Sequence, residues 1–197
     1  MPLIPSHQGL LIPLWRRWPH KFNIVALCIG AGMPDAVDGA AGILINGHLG
    51  QWYGHTLWGA HIISVPAGLL LMAFTLFLAR RFAQSQREKL NRIGDWVLSG
   101  HSLPEKANHF RQLIFVTISM WIGVLSHVIF DLLSHQNFDL LAPWYAGKSP
   151  IPDWWTTVWF TVSPPGYTDY PIGPHFIMWL FLSSLGLYWI MKIYKNK

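Results

Sequence analysis

Three ionisable residues recur at four-residue intervals near the end of one apolar run: His127, Asp131 and His135, in the stretch Ser126-His127-Val128-Ile129-Phe130-Asp131-Leu132-Leu133-Ser134-His135. Four residues of α-helix turn through about 400°, so the three drift by only about 40° per step and share one face. Imidazole and carboxylate groups at i and i+4 can grip a common metal ion, as paired histidines do in helical zinc sites. His127 to His135 spans about 12 Å of helix rise, too far for one ion on a straight helix. Either His135 leaves the helix or the set serves two ions. Imidazole mixed with carboxylate suits zinc ahead of manganese or iron. A lone intramembrane histidine is ordinarily a hydrogen-bonded packing residue. Three ionisable groups on one face each cost several kcal/mol if exposed to lipid, which points to metal binding or proton handling.

Further candidates lie upstream. Asp35 follows Pro34, where an apolar run should break, and irregular backbone can present a ligand. Asp38, three residues on, suits either a base or a partner that orients a metal ligand. His55 opens a second apolar run, with Thr56 beside it. His48 falls in a Gly-rich stretch and reads as solvated, and His61 faces away from His55 and reads as structural. His20, His101, His109 and His175 flank apolar runs or lie in polar stretches without a partner pattern. The single cysteine, Cys28, excludes an intrachain disulfide and a cysteine-rich metal site, and reads as a small buried hydrophobe.

These residues need elements to hold them. The 197-residue chain is 52% hydrophobic and 12% charged, against about 25% charged in ordinary soluble domains. The runs Asn23–Ile45, Leu57–Ala79, Leu113–Leu133 and Phe176–Ile193 each approach the roughly 20 residues that cross a bilayer as helix. The expected fold is therefore all-α: a polytopic membrane helical bundle of about four transmembrane helices, forming one integral domain over residues 1–197. Gly30, Gly32 and Pro34 predict a break in the first span, and Pro66 lies inside the second. Asp35 and Asp38 interrupt the first span and no small-residue cleavage site is evident, so it reads as retained rather than as a signal peptide. Before it, Ser6 suits the N-cap of a short helix from His7 to about Leu14, ended by Trp18-Pro19. That helix either lies at the interface or dips inward as a half-helix.

The net charge of +5 suggests nucleic acid until the basic residues are placed. They cluster before the first span (Arg16, Arg17, Lys21), across residues 80–112, and after the fourth span (Lys192, Lys195, Lys197). The two remaining connections hold one, Lys148. This is a topology signal, and it excludes nucleic acid as a partner. Both termini and the 80–112 loop are expected on the cytoplasmic side of the inner membrane, with the Trp-rich segment 134–175 outside. Residues 85–98 read as a short amphipathic helix in the cytoplasmic loop. The aromatics of the outer segment suit the headgroup level. On this topology His55, Asp35 and His127 to His135 all fall in the outer half of the membrane.

The chain resembles the DUF4184 bacterial membrane proteins, a group similar to YdjM-type membrane-bound metal-dependent hydrolases. The resemblance rests on Met1-Pro2 through Ser6-His7, Ile29-Gly30 with Pro34-Asp35, and His55-Thr56-Leu57 with Gly59 and Pro66. It continues through Gly68-Leu69-Leu70-Leu71 to Gly123, Ser126-His127, Asp131 and Ser134-His135. It covers roughly the first 140 residues. A fainter similarity to zinc-dependent phospholipase C implies, in chain order, His7, Asp35, His55, His127 and Asp131 as ligands. In that arrangement Asp35, His55, His127 and Asp131 surround one ion, and Asp131 is shared towards a second ion near His7. His135 departs from that family's spacing, and His7 reaches the site only if its half-helix enters the bundle.

The expected function is a metal-dependent hydrolase, carrying one or two divalent ions, zinc first, and acting on a phosphoester or ester of a lipid-linked substrate at the outer leaflet. Asp38 is the candidate base. A metal-ion or proton transporter is the alternative; it requires polar residues through the inner half, where only Ser64, Thr75, Thr117 and Ser119 occur. A haem protein ligated by His55 and His127 is a third class, disfavoured by the clustered aspartates.

Overall fold

The computed structural model describes residues 5–44, 54–100, 108–132, 140–141, 152–163 and 170–195. Its order is α1 (Pro5–Arg17), α2 (Ile24–Gly30), α3 (Met33–Leu44), α4 (Leu57–Gly59), a π-helical turn (Ala60–Ser64), α5 (Val65–Ala83), α6 (Glu88–Gly100), α7 (His109–Leu132), β1 (Phe160–Val162), β2 (Tyr170–Ile172) and α8 (Pro174–Lys195). Among the described residues, four stretches are long and apolar enough to cross a membrane: Ile24–Ala41, Leu57–Ala83, His109–Leu132 and Pro174–Lys192. The fold is an all-α bundle, with one short hairpin among the described residues that the aromatic-rich segment 134–175 did not signal.

Each interruption has a local cause. Pro34 has no N–H to continue the ladder of α2, so the helix stops at Gly30 and restarts as α3 after a turn at Ala31 and Gly32. Asn23 caps α2 by accepting from the Ala26 N–H at 2.9 Å, while its own N–H donates to Ser119 Oγ at 2.9 Å. Thr56 caps α4 through the Gly59 N–H at 2.9 Å, which fixes His55 at the mouth of the second span. Pro66 cannot donate to a carbonyl in the preceding turn, and the π-helical residues Ala60–Ser64 lie directly before it. The amphipathic connector starts at Glu88, three residues later than the sequence suggested. It packs on α5, with Asn91 Nδ2 donating to the Ala83 carbonyl at 2.7 Å.

α2 and α7 run parallel and nearly touch. A Cβ added to Gly30 would run into the α7 backbone at Met120, and one added to Gly123 would meet Leu27 of α2 and Ala31 just after it. Small residues that let backbones approach are the usual device for joining helices in lipid. Around this seam Ala26, Met120, Val124 and Val128 are buried, with Met33, Met72 and Val116 completing the core. Gly123→Val should therefore force the helices apart and cost about 1–3 kcal/mol. Thermal unfolding in detergent should show a lowered Tm for this variant but not for Gly39→Ala, since a Cβ at Gly39 meets open space.

α1 extends from Pro5 to Arg17, so Ser6 lies within it rather than just before it, and it runs beyond Leu14. It enters the bundle as a half-helix. Gly9 sits against the Leu182 backbone of α8, Arg16 stacks over Trp189 at 4.5 Å, and Gln8 Nε2 donates to the Cys28 carbonyl at 3.3 Å. Leu11 and Ile12 are buried. The start of α1 therefore lies deep between α7 and α8, while Arg16 and Arg17 stay at the basic end.

Candidate metal centre

The break made by Pro34 does two things for the site. It sets Asp35 in the first turn of α3, and it leaves the Ala31 carbonyl to accept from His127 Nδ1 at 2.7 Å. On the opposite wall, His55 Nδ1 donates to Asp38 Oδ2 at 2.6 Å, and Asp38 Oδ1 accepts from the Gly54 N–H at 2.5 Å. Gly54 is tightly placed, because a Cβ there would press on the Pro34 backbone. In each histidine the Nδ1–H is thus committed to an oxygen, which leaves Nε2 as the lone-pair atom. The two Nε2 atoms face each other at 3.0 Å. Two lone pairs at that separation repel unless a proton or a metal ion lies between them.

Carboxylates complete the ring of donors. His55 Nε2 lies 3.4 Å from Asp35 Oδ1 and 3.0 Å from Asp131 Oδ2, and His127 Nε2 lies 3.6 Å and 3.3 Å from the same two atoms. A tetrahedral ion with bonds of about 2.0–2.1 Å holds its ligand atoms about 3.3–3.4 Å apart. The five separations bracket that edge, and all four ligand atoms lie within 4.8 Å of one another. The donor set therefore fits a divalent ion both in geometry and in the orientation of its histidines. His55, His127 and Asp131 are at most 2% exposed, whereas the Asp35 side chain is 21% exposed. The site is open on the Asp35 side alone among its four ligands.

His7 is beside this set. Its ring stacks on His127 with centroids 3.8 Å apart, its Nε2 lies 4.0 Å from Asp131 Oδ1, and both ring nitrogens are buried without a hydrogen-bond partner among the described residues. Trp179 and Phe130 wall it in, with centroids 4.9 Å and 6.4 Å away. The half-helix thus brings His7 to the cluster from the chain's far end.

The fold therefore gathers His7, Asp35, His55, His127 and Asp131 in one place, with Asp38 behind His55. His61 is exposed and turned to the Leu57 carbonyl, away from the site. His135 and His48 lie outside the described residues. The Ala31 carbonyl, the Gly54 N–H and Trp179 were not anticipated. The first two are backbone groups without a residue-type signal, and Trp179 is one apolar residue among many in α8.

A helical membrane protein with a buried His/Asp cluster set between its spans is the class that fold and site define. The DUF4184 family, described as a domain of unknown function, matches residues 1–149. The chain belongs to that family. The matched region contains every ligand candidate and stops short of α8 and Trp179. No curated protein and no solved structure matches the chain.

Proposed function

We propose that the protein is a membrane-embedded, metal-dependent hydrolase, with zinc as the first-choice ion, acting on a phosphoester or ester of a lipid-linked substrate at the outer leaflet. The observation that carries this reading is the convergence of His55, His127, Asp35 and Asp131 on one point, closed on three sides and open beside Asp35. A divalent cation held there supplies Lewis acidity and water activation near neutral pH. The chain's own residues set the conditions. His127 is oriented by Ala31, His55 by Asp38, and the surrounding core keeps bulk water from the buried ligands. In this reading Asp38 is a positioning residue rather than a base, because its two oxygens are taken by His55 and Gly54.

His7 and Asp131 favour a second ion next to the first. Their 4.0 Å separation exceeds the tetrahedral edge of about 3.3–3.4 Å, so a shared ion would draw the two side chains together by about 0.6–0.7 Å. His7→Ala should lower the metal content by one ion per chain and leave the first ion bound. Unchanged stoichiometry would reduce His7 to a stacking partner of His127.

Transport is less well supported. Between the cluster and the basic end, Leu27, Met120 and Val124 are fully buried, and Asn23 is bonded to Ser119. No chain of acids or histidines continues through that half among the described residues. Haem is disfavoured because Nε2 atoms 3.0 Å apart leave no space for a macrocycle between them. The test is turnover of a panel of phosphomonoester, phosphodiester and carboxylic-ester lipids by protein in nanodiscs. Metal-dependent hydrolysis lost in Asp131→Ala is expected. Absence of turnover across the panel with the metal bound would overturn the hydrolase assignment.

A further inference from the structure

The first strand of the hairpin before α8 is exposed along its whole length. β1 pairs antiparallel with β2, Phe160 opposite Ile172 and Val162 opposite Tyr170, and Trp159 N–H donates to the Ile172 carbonyl at 2.8 Å. All three β1 residues are exposed, and so are Trp154, Val158 and Trp159. No charged residue occurs from Trp154 to Ser163. Successive strand residues point to opposite faces, so Phe160 and Val162 share one side and Thr161 takes the other. An isolated two-stranded hairpin is marginal in water and needs a surface to pack against. This one presents an apolar side of Phe160 and Val162, 57% and 44% exposed.

The position of the hairpin identifies what covers it. α8 holds 22 residues, Pro174–Lys195, about 33 Å at 1.5 Å per residue, close to the ~30 Å hydrocarbon thickness. Its far end carries Lys192 and Lys195, so its first residues stand at the opposite hydrocarbon boundary. Exposed apolar residues stand on both sides of the joint, Phe160 and Val162 in β1 and Ile177, Leu180 and Phe181 in the first turns of α8. Trp and Phe are suited to that depth, where an apolar body meets wet headgroups.

We infer that the β1–β2 hairpin lies in the headgroup layer of the bilayer, with Phe160 and Val162 turned into the acyl chains and Thr161 turned to water. Its membrane contact is independent of hydrolase activity. Its location bears on the site, because Trp179, which touches His7, is six residues beyond Gly173, about 9 Å along α8. The cluster then lies just beneath the layer that the hairpin occupies, within reach of a lipid phosphate or ester.

Nitroxide labels test the placement. Cys28 is the only cysteine, so Cys28→Ala provides the background for three single variants, Phe160→Cys, Thr161→Cys and Val162→Cys, with Glu88→Cys as a water-exposed reference. Each is labelled in nanodiscs of phosphatidylcholine and phosphatidylglycerol and checked for monodispersity. Power saturation should show positions 160 and 162 relaxed several-fold more by oxygen than by a water-soluble nickel chelate, and position 161 the reverse. Any two monodisperse neighbours suffice to read the alternation. Equal access of the chelate to all three labels would place the hairpin in water. Shielding from both reagents would assign the covering surface to protein, a second copy or another part of the chain. Either result overturns the bilayer assignment.

Discussion

His127→Ala should abolish stoichiometric metal binding, and Asp131→Ala should do the same. Each supplies one of the four donor atoms that, among the described residues, lie within 4.8 Å of one another, so its loss leaves three ligands on the ion. Outer partners of metal ligands typically cost about 10–100-fold in affinity when removed, and a direct ligand in a four-donor set costs more. The loss has a second consequence for stability. An ion that binds only the folded chain stabilises it by about 2.7 kcal/mol at a hundredfold excess over Kd. Wild-type protein should therefore show a metal-dependent rise in Tm that chelation reverses, whereas both variants should unfold at one temperature with or without zinc. A retained metal-dependent rise in either variant would place the ion elsewhere.

Asp38→Ala separates a positioning residue from a base. Asp38 sits behind His55, accepting from its Nδ1–H at 2.6 Å and from the Gly54 N–H at 2.5 Å. Its carboxylate fixes the ring and keeps Nε2 facing Asp35 and Asp131. Removing it should weaken zinc affinity by about 10–100-fold, the usual cost of losing such a partner, with occupancy recovered at high zinc. The decisive readout is turnover at saturating metal. If Asp38 only orients His55, activity on the lipid ester returns with occupancy. If it takes the proton from the attacking water, activity stays at least about a hundredfold down at full occupancy.

Most of the architecture was legible because lipid imposes simple rules on sequence. Four apolar runs whose only acids are Asp35, Asp38 and Asp131 gave the spans, and Pro34 among glycines located the break that the structure shows at Ala31 and Gly32. The i, i+4 spacing of His127 and Asp131 placed both on one face, and their side chains meet at 3.3 Å. What spacing cannot provide is contact between distant segments. That His55 faces His127 depends on packing, notably on Gly54 against Pro34 and Gly30 against Gly123. The entry of His7 depends on α1 folding back beside α8, which apolarity alone left open between a surface helix and a half-helix. The π-helical turn and the hairpin were invisible for a different reason. Both are short, and their residues read equally well as helix or irregular chain.

X-ray absorption at the zinc edge on purified, zinc-loaded protein tests the centre most directly. In a His7→Ala background, which isolates the first ion, zinc is expected to be surrounded by two imidazole nitrogens and two carboxylate oxygens at about 2.0–2.2 Å, with a water oxygen as the further ligand that hydrolysis needs. The outer-ring scattering of two histidines is lost by half in His55→Ala or His127→Ala wherever residual metal remains. Protein that takes up no zinc, or zinc whose spectrum lacks imidazole scattering and is unchanged in these variants, would contradict a metal centre at His55, His127, Asp35 and Asp131.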